Sequence, residues 1–282
     1  MKTALLTGST GGLGQEIALI LAKQDWNLIL LNRNADQAEE QLANLRVMFP
    51  EQSFDSFIAD MLDLEELGQT AREIALAYTE ISALFNIAGL LTDKRITSAQ
   101  GIEGHFAVNA VAPYFLISIL RPQLEAAATR EAPAFIVNFS TSAVNNVKSL
   151  DVEKLVNPDK IGGLLDAYAK TKSVLNVMSE FLKFELYSDH VYIYSVDPGP
   201  TKTQMTSDNG GMPWFVRLLV PIMFGDAEKQ SRKLMNAISQ AVSHDQTGIF
   251  ISNGKTRDNP IIAEDPKIQM KVRGLLDQLL PI

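Results

Sequence analysis

The 282-residue chain is 46% hydrophobic and 21% charged, ordinary proportions for a soluble globular protein with one substantial core. Its net charge of −8 and pI near 5.0 exclude the basic surface that a nucleic-acid partner requires. The lack of cysteine excludes a disulfide framework, a thiolate nucleophile and a cysteine-based zinc site, and accords with a reducing, cytoplasmic setting.

The first segment, Lys2–Gly14 (KTALLTGSTGGLG), is an apolar strand running into a glycine-rich turn that opens onto a helix from Gln15 to Lys23. Such a turn lets the backbone approach a pyrophosphate, and the helix start behind it offers unpaired N–H groups and a positive dipole end. Gly8, Gly12 and Gly14 fit one dinucleotide spacing, and Gly8, Gly11 and Gly14 fit another; Ser9, Thr10 and Leu13 complete the loop. Because the chain already reads as strand at its second residue, no secretory leader is expected.

Further strands are predicted at Asn27–Asn32, Ser53–Ile58, Ile81–Asn86, Ala134–Ser140, Val191–Val196 and Gly248–Ile251. Helices are predicted at Ala35–Val47, Leu64–Tyr78, Gly104–Ala127, Leu164–Leu186 and Ala227–Val242, with an amphipathic tail at Ala263–Leu280. Continuous apolar strands joined by helical crossovers imply one doubly wound α/β domain over residues 1–282, a parallel sheet of about seven strands covered on both faces. The longest apolar stretch, Phe106–Leu120, is too short to span a bilayer and contains Asn109 and Pro113. A second patch, Met212–Gly225, reads as an apolar lid, so that residues 203–225 would close over a substrate pocket.

Ligands of such sheets bind beyond the carboxyl ends of the strands, and the polar candidates cluster there. Arg33 follows the second strand after neutral Asn32. A guanidinium at this point engages a 2′-phosphate where an acidic residue would repel it, which favours NADP(H) over NAD(H). Asp60 and Met61 suit an adenine contact. Asn86, Ala88 and Gly89, in the quartet Asn86–Gly89, leave room for a ribose against the sheet.

Tyr168 and Lys172 stand four apart in a predicted helix, on one face and one turn apart. An ammonium beside a phenol favours the phenolate and lowers the phenol's pKa, so that the pair can pass a proton to or from a carbonyl oxygen. By itself such a pair is also what a solvated helix face looks like.

Taken with TGSTGGLG, Asp60, the NIAG quartet, Asn109, IVNFSTS and DPGPTKT, the YAKTK motif makes the chain resemble the short-chain dehydrogenases/reductases over nearly its whole length. The resemblance implies an oxidoreductase that interconverts a carbonyl and an alcohol. Tyr168 would be the general acid/base, Lys172 would tune it and hold the nicotinamide ribose, and Asn109 would support a relay water. Pro198, Gly199, Thr201 and Thr203 would line the nicotinamide end. The catalytic hydroxyl aligns with Thr141, while Ser140 and Ser142 remain alternatives. Thr141 and Tyr168 lie 27 positions apart, and the insertion at Asn145–Gly163, like GIEGHFAVNAVAPYFL and GIFISNGKTRDNPIIAEDP, resembles the retinol dehydrogenase and protochlorophyllide reductase subgroup. That subgroup implies a small or apolar carbonyl substrate. The wider family implies a homodimer or homotetramer meeting through Gly104–Ala127 and Leu164–Leu186.

Two other readings stand beside this one: a non-catalytic nucleotide sensor or scaffold, and a sugar-nucleotide epimerase, which wants a larger C-terminal substrate domain. No GxSxG elbow is present. His105, His190 and His244 show no metal-ligand spacing and read as surface or helix-end residues. The late GKT at Gly254–Thr256 is one residue off a phosphate-loop spacing.

Overall fold

A computed structural model describes residues 1–158, 163–199, 201 and 225–280. Strands β1 (Thr3–Thr7), β2 (Asn27–Asn32), β3 (Phe54–Ile58), β4 (Ala83–Asn86), β5 (Ala134–Phe139), β6 (Val191–Asp197), β7 (Ile249–Ser252) and β8 (Lys255–Arg257) form one sheet in the order β3-β2-β1-β4-β5-β6-β7-β8. The first seven are parallel and β8 is antiparallel to β7. Strand order reverses between β1 and β4, where Thr7 pairs with Asn86 and Asn86 pairs with Asn138. That reversal opens the crevice in which ligands of doubly wound sheets lie.

Helices α1 (Gly12–Ala22), α2 (Ala35–Met48), α3 (Leu64–Ala77), α5 (Leu164–Tyr187), α6 (Ala227–Ser243) and α7 (Pro266–Leu279) fill the crossovers and the tail. Between α3 and β5, three consecutive pieces, helical Gly104–Phe106, a π segment Ala107–Val111 and helical Ala112–Ala127, form one rod, here α4. The strand side chains alternate between two cores. Leu5, Ile29 and Leu31 pack with α3, α4 and α5, whereas Ala4, Leu6, Leu28 and Leu30 pack with α1 and α6. This period-2 division of continuous apolar strands is what a sheet buried on both faces demands. Truncating a side chain such as Leu5 to alanine costs about 2–5 kcal/mol in such a core.

The parallel strands and principal helices fall where the sequence places them, with ends shifted by one to three residues. An eighth strand is added. Asn253 and Gly254 both have positive φ, 51° and 72°, so a two-residue turn folds Lys255–Arg257 back onto β7. The GKT tripeptide belongs to this hairpin. Of the two placements read for His105, surface or helix end, it takes the second, fully buried in the first turn of α4. The insertion docks on the start of α4, with Leu150, Val152 and Leu155 buried and the Glu103 N–H donating to the Val156 carbonyl at 2.8 Å.

The tail helix α7 lies on α4 and α5. Val272 and Leu276 are buried there, Tyr114 donates to Asp277, and Arg273 pairs with Glu185. Among the described residues no helix is long and apolar enough to cross a membrane. The lid expected at 203–225 lies outside the described residues except for Gly225, and Thr203 lies outside them too.

Candidate active site

The glycine turn is folded tightly on itself. Gly8 has φ +65° and abuts Ala88, and a β-carbon at Gly14 would sit 2.4 Å from the Gly8 carbonyl oxygen. Both positions therefore require glycine. Asn34, Asp63, Asp226 and Asp265 cap α2, α3, α6 and α7 with side-chain oxygens. Helix α1 instead starts at Gly11 with no side-chain cap and no acid in its first turn. Its leading N–H groups, those of Gly12, Leu13 and Gly14, thus face the crevice side of the sheet as an anion cradle.

The turn is held by a residue the sequence reading missed. Gln41 of α2 donates to the Ser9 carbonyl at 2.9 Å and accepts from the Ser9 hydroxyl at 2.8 Å. Asn32, at the end of β2, exchanges hydrogen bonds with the Ser9 hydroxyl and accepts from the Thr10 N–H. All three side chains are buried. The signal for Gln41 was present: it shares a helix face with buried Ala38 and Leu45, and a polar side chain on that face needs partners. Asn32 thus points inward, whereas Arg33 is exposed and has no ion pair among the described residues. After β3, Asp60 accepts from the Leu62 N–H at 2.9 Å, and Met61 is buried beside it.

At the switch point, Asn86 donates to Asn138 at 2.8 Å while its own side-chain oxygen is buried and has no partner among the described residues. An unpartnered buried acceptor costs about 1–3 kcal/mol. Thr7 Oγ1 accepts from the N–H groups of Ile87 and Ala88, so β1 sets the course of the quartet Asn86–Gly89. A β-carbon at Gly89 would lie 3.2 Å from Asn109 Oδ1 and 3.4 Å from Lys172 Nζ, which puts α4, α5 and the quartet in contact at one point.

Asn109 sits within the π segment, where the Ala112 N–H bonds to the Ala107 carbonyl five residues back. Proline at 113 has no N–H to give to the Asn109 carbonyl, four residues before it, so the α ladder is interrupted there. The Asn109 side chain clasps Leu90, accepting from its N–H at 2.8 Å and donating to its carbonyl at 2.9 Å, and it also reaches Thr171 Oγ1 at 3.2 Å.

Helix α5 carries Tyr168, half-buried, and Lys172, which is 2% exposed. The ammonium donates to the Phe139 carbonyl at 2.6 Å and stands 5.9 Å from the centre of the Tyr168 ring. Burial holds the Lys172 amine down at about 7. It also pushes the Tyr168 phenol up, and the Asp197 carboxylate adds to that effect. The phenol is thus raised by burial and by Asp197, with no lowering from an amine that is aimed at a main-chain oxygen.

Three hydroxyls follow β5. Ser140 is buried and donates to Asn176 Oδ1 at 2.6 Å. Ser142 is exposed. Thr141 Oγ1 accepts from the Ala143 N–H at 3.3 Å, so its own proton remains to be donated. Beyond β6, Asp197 is buried and accepts from the Gly199 N–H and the Ser252 hydroxyl, fixing the turn Pro198–Gly199. Thr201, also buried, donates to the Gly199 carbonyl. Among the described residues no group of three or more His, Cys, Asp or Glu is placed to hold a metal ion. A separate groove of about 520 Å³, lined by Trp26, Phe135 and Arg232, opens between α1 and α6 near the opposite ends of the strands.

Comparison with known proteins matches this arrangement to a family. Residues 2–151, just over half the chain, match the family model described as short chain dehydrogenase. The chain belongs to that family. Human retinol dehydrogenase 13 is 25% identical over 209 residues, covering 74% of this chain and 62% of that protein. Mouse retinol dehydrogenase 11 is 24% identical over 245 residues, covering 86% and 74%. The match thus spans about three-fifths of retinol dehydrogenase 13. Among solved structures, NADPH-bound carbonyl reductase from chicken fatty liver superposes with a TM-score of 0.69 at 20% identity, over 92% of this chain and 99% of that one, and shares the fold.

Proposed function

We propose that this chain is an NADP(H)-dependent oxidoreductase that interconverts a carbonyl and an alcohol on a small or apolar substrate. One observation carries the reading: Asn109 and Lys172 meet beside Gly89 at the switch point of the sheet, with the Tyr168 ring 5.9 Å from the Lys172 ammonium. A dinucleotide fits the residues present, given the uncapped start of α1, the glycine turn with no room for a β-carbon at Gly8 or Gly14 and the orphaned oxygen of Asn86. Gly8, Ser9, Thr10, Gly12, Leu13 and Gly14 would hold its pyrophosphate, Arg33 its 2′-phosphate, Asp60 and Met61 its adenine. Asn86, Ala88, Gly89 and Lys172 would meet the nicotinamide ribose, and Pro198, Gly199, Thr201 and Thr203 the carboxamide end. When bound, the coenzyme supplies or accepts the hydride.

The chain's own part is proton transfer and orientation. Burial keeps the Tyr168 phenol protonated, which suits it to give its proton to a carbonyl oxygen. Thr141 offers a second O–H donor to that oxygen, and two donors aimed at one developing negative charge supply the electrostatic part of the acceleration. Lys172, held near 7, can take up a proton near neutral pH as the phenol gives its own away. The NADPH bound in the chicken carbonyl reductase and the names of the retinol dehydrogenase relatives support the coenzyme and the apolar substrate.

Oxidation of NADPH at 340 nm against a panel of apolar aldehydes, ketones and quinones tests the reading. Tyr168→Phe is expected to lower kcat by at least about a hundredfold, the usual worth of a general acid, while NADPH binding stays within about threefold. A variant that turns over normally would remove Tyr168 from the chemistry.

A further inference from the structure

The buried pair Glu103–His105 belongs to none of the roles above. His105 is 0% and Glu103 7% exposed, at the start of α4. One Glu103 oxygen caps the helix by accepting from the Phe106 N–H at 2.9 Å, and the other stands 2.7 Å from His105 Nδ1. On the far side of the ring, the main-chain N–H of Thr92 reaches Nε2 at 3.2 Å. A main-chain N–H can only donate, so Nε2 must be the bare nitrogen and the ring proton must sit on Nδ1, facing the carboxylate. Glu103 thus sets the tautomer that lets His105 accept.

Asn109, four residues further along α4, grips the same strip by both the N–H and the carbonyl of Leu90. The strip Gly89–Thr92 is therefore held at two points, and its first residue is in contact with both Asn109 and Lys172. The π segment begins two residues after His105 and contains Asn109, so the helix that joins the two grips is wound more loosely than a regular α turn.

We propose that His105, oriented by Glu103, is a positioning residue for the reaction: it anchors the backbone from Leu90 to Thr92 and so sets where Gly89, Asn109 and Lys172 stand. The catalytic consequence rests on the proposed oxidoreductase function, whereas the tautomer and the anchoring do not.

The test uses the full chain. Long-range proton–nitrogen correlation spectra of ¹⁵N-histidine protein, with His190 and His244 assigned by substitution, are expected to show His105 neutral, with its proton on Nδ1. Glu103→Gln should invert or mix that tautomer. Hydrogen exchange at Leu90 and Thr92 should speed up by at least about tenfold in His105→Leu, the loss of one buried hydrogen bond, and much less in His105→Gln, which keeps a donor and an acceptor. In turnover, His105→Leu is expected to lose about tenfold to a hundredfold in kcat with the KM for NADPH changed less than threefold, and His105→Gln to recover most of the loss. A ring protonated on Nε2, or unchanged exchange at Thr92 in a folded His105→Leu protein, overturns the inference. Should His105→Leu not fold, the wild-type tautomer and the exchange of His105→Gln decide it. A chain with no oxidoreductase activity but with the expected tautomer and exchange would fail the proposed function and leave the anchoring intact.

Discussion

Lys172 is an ammonium that the fold buries before any coenzyme is bound, and the cost is measurable. Bringing its pKa from 10.5 to about 7 corresponds, at ~1.36 kcal/mol per pH unit, to a penalty of about 5 kcal/mol on the charged form. Lys172→Met removes the charge, keeps most of the volume, and leaves the Phe139 carbonyl without its donor, a loss of about 1–3 kcal/mol. Below pH 7 both the folded and unfolded lysine are protonated, and the penalty is present in full. Between about 7 and 10.5 the unfolded chain binds the extra proton, so the wild-type protein gains stability as pH rises. The methionine variant should accordingly be the more stable at pH 6, by about 2–4 kcal/mol, and the gap should close by about 3 kcal/mol by pH 9.5. Urea unfolding of both proteins without coenzyme, at pH 6, 8 and 9.5, measures the difference and cancels the titration of all other groups. A gap that is the same at pH 6 and 9.5 would refute the reasoning, as would a variant less stable than wild type at pH 6.

Arg33→Asp replaces a free guanidinium by a charge that repels phosphate. The KM for NADPH should rise by about a hundredfold and that for NADH should fall or hold, as read from initial rates with each coenzyme. Gly14→Ala improves the intrinsic helix propensity of α1 but pushes a carbon against the Gly8 carbonyl, so calorimetry should find NADPH binding weakened by at least about tenfold in a protein whose circular dichroism is unchanged. Gly254→Ala forces a left-handed conformation on alanine in the β7–β8 turn, which should lower stability by about 1 kcal/mol and Tm by about 2–4 °C in differential scanning calorimetry, with kcat untouched.

The sequence announces what repeats or alternates. Continuous apolar strands, an Asn or Asp before each of four helices and the glycine turn fix the sheet, its order of elements and the cradle, because each follows from local chemistry that survives folding unchanged. The hairpin at Asn253–Gly254 was equally legible, since Asn-Gly between two extended segments is a strong turn signal, although the sequence reading ends its last strand at Ile251. Long-range partners were not legible. Gln41 meets Ser9 across 32 residues, and His105 meets Thr92 across a strand-to-helix connection. The direction of the Tyr168 shift was misjudged for the same reason. Spacing places an ammonium one turn away, but only the folded chain shows that it is aimed at Phe139 and that burial dominates.

The tail helix on α4 and α5 has a consequence for how copies of this molecule can associate. The rod α5, which carries Tyr168 and Lys172, is already covered in part by its own polypeptide, through Val272, Leu276 and the Arg273–Glu185 pair. Copies that meet elsewhere, at the β8 edge or along α6, would leave each catalytic crevice built from one strand of protein, so that dilution to single molecules should not change the rate per chain.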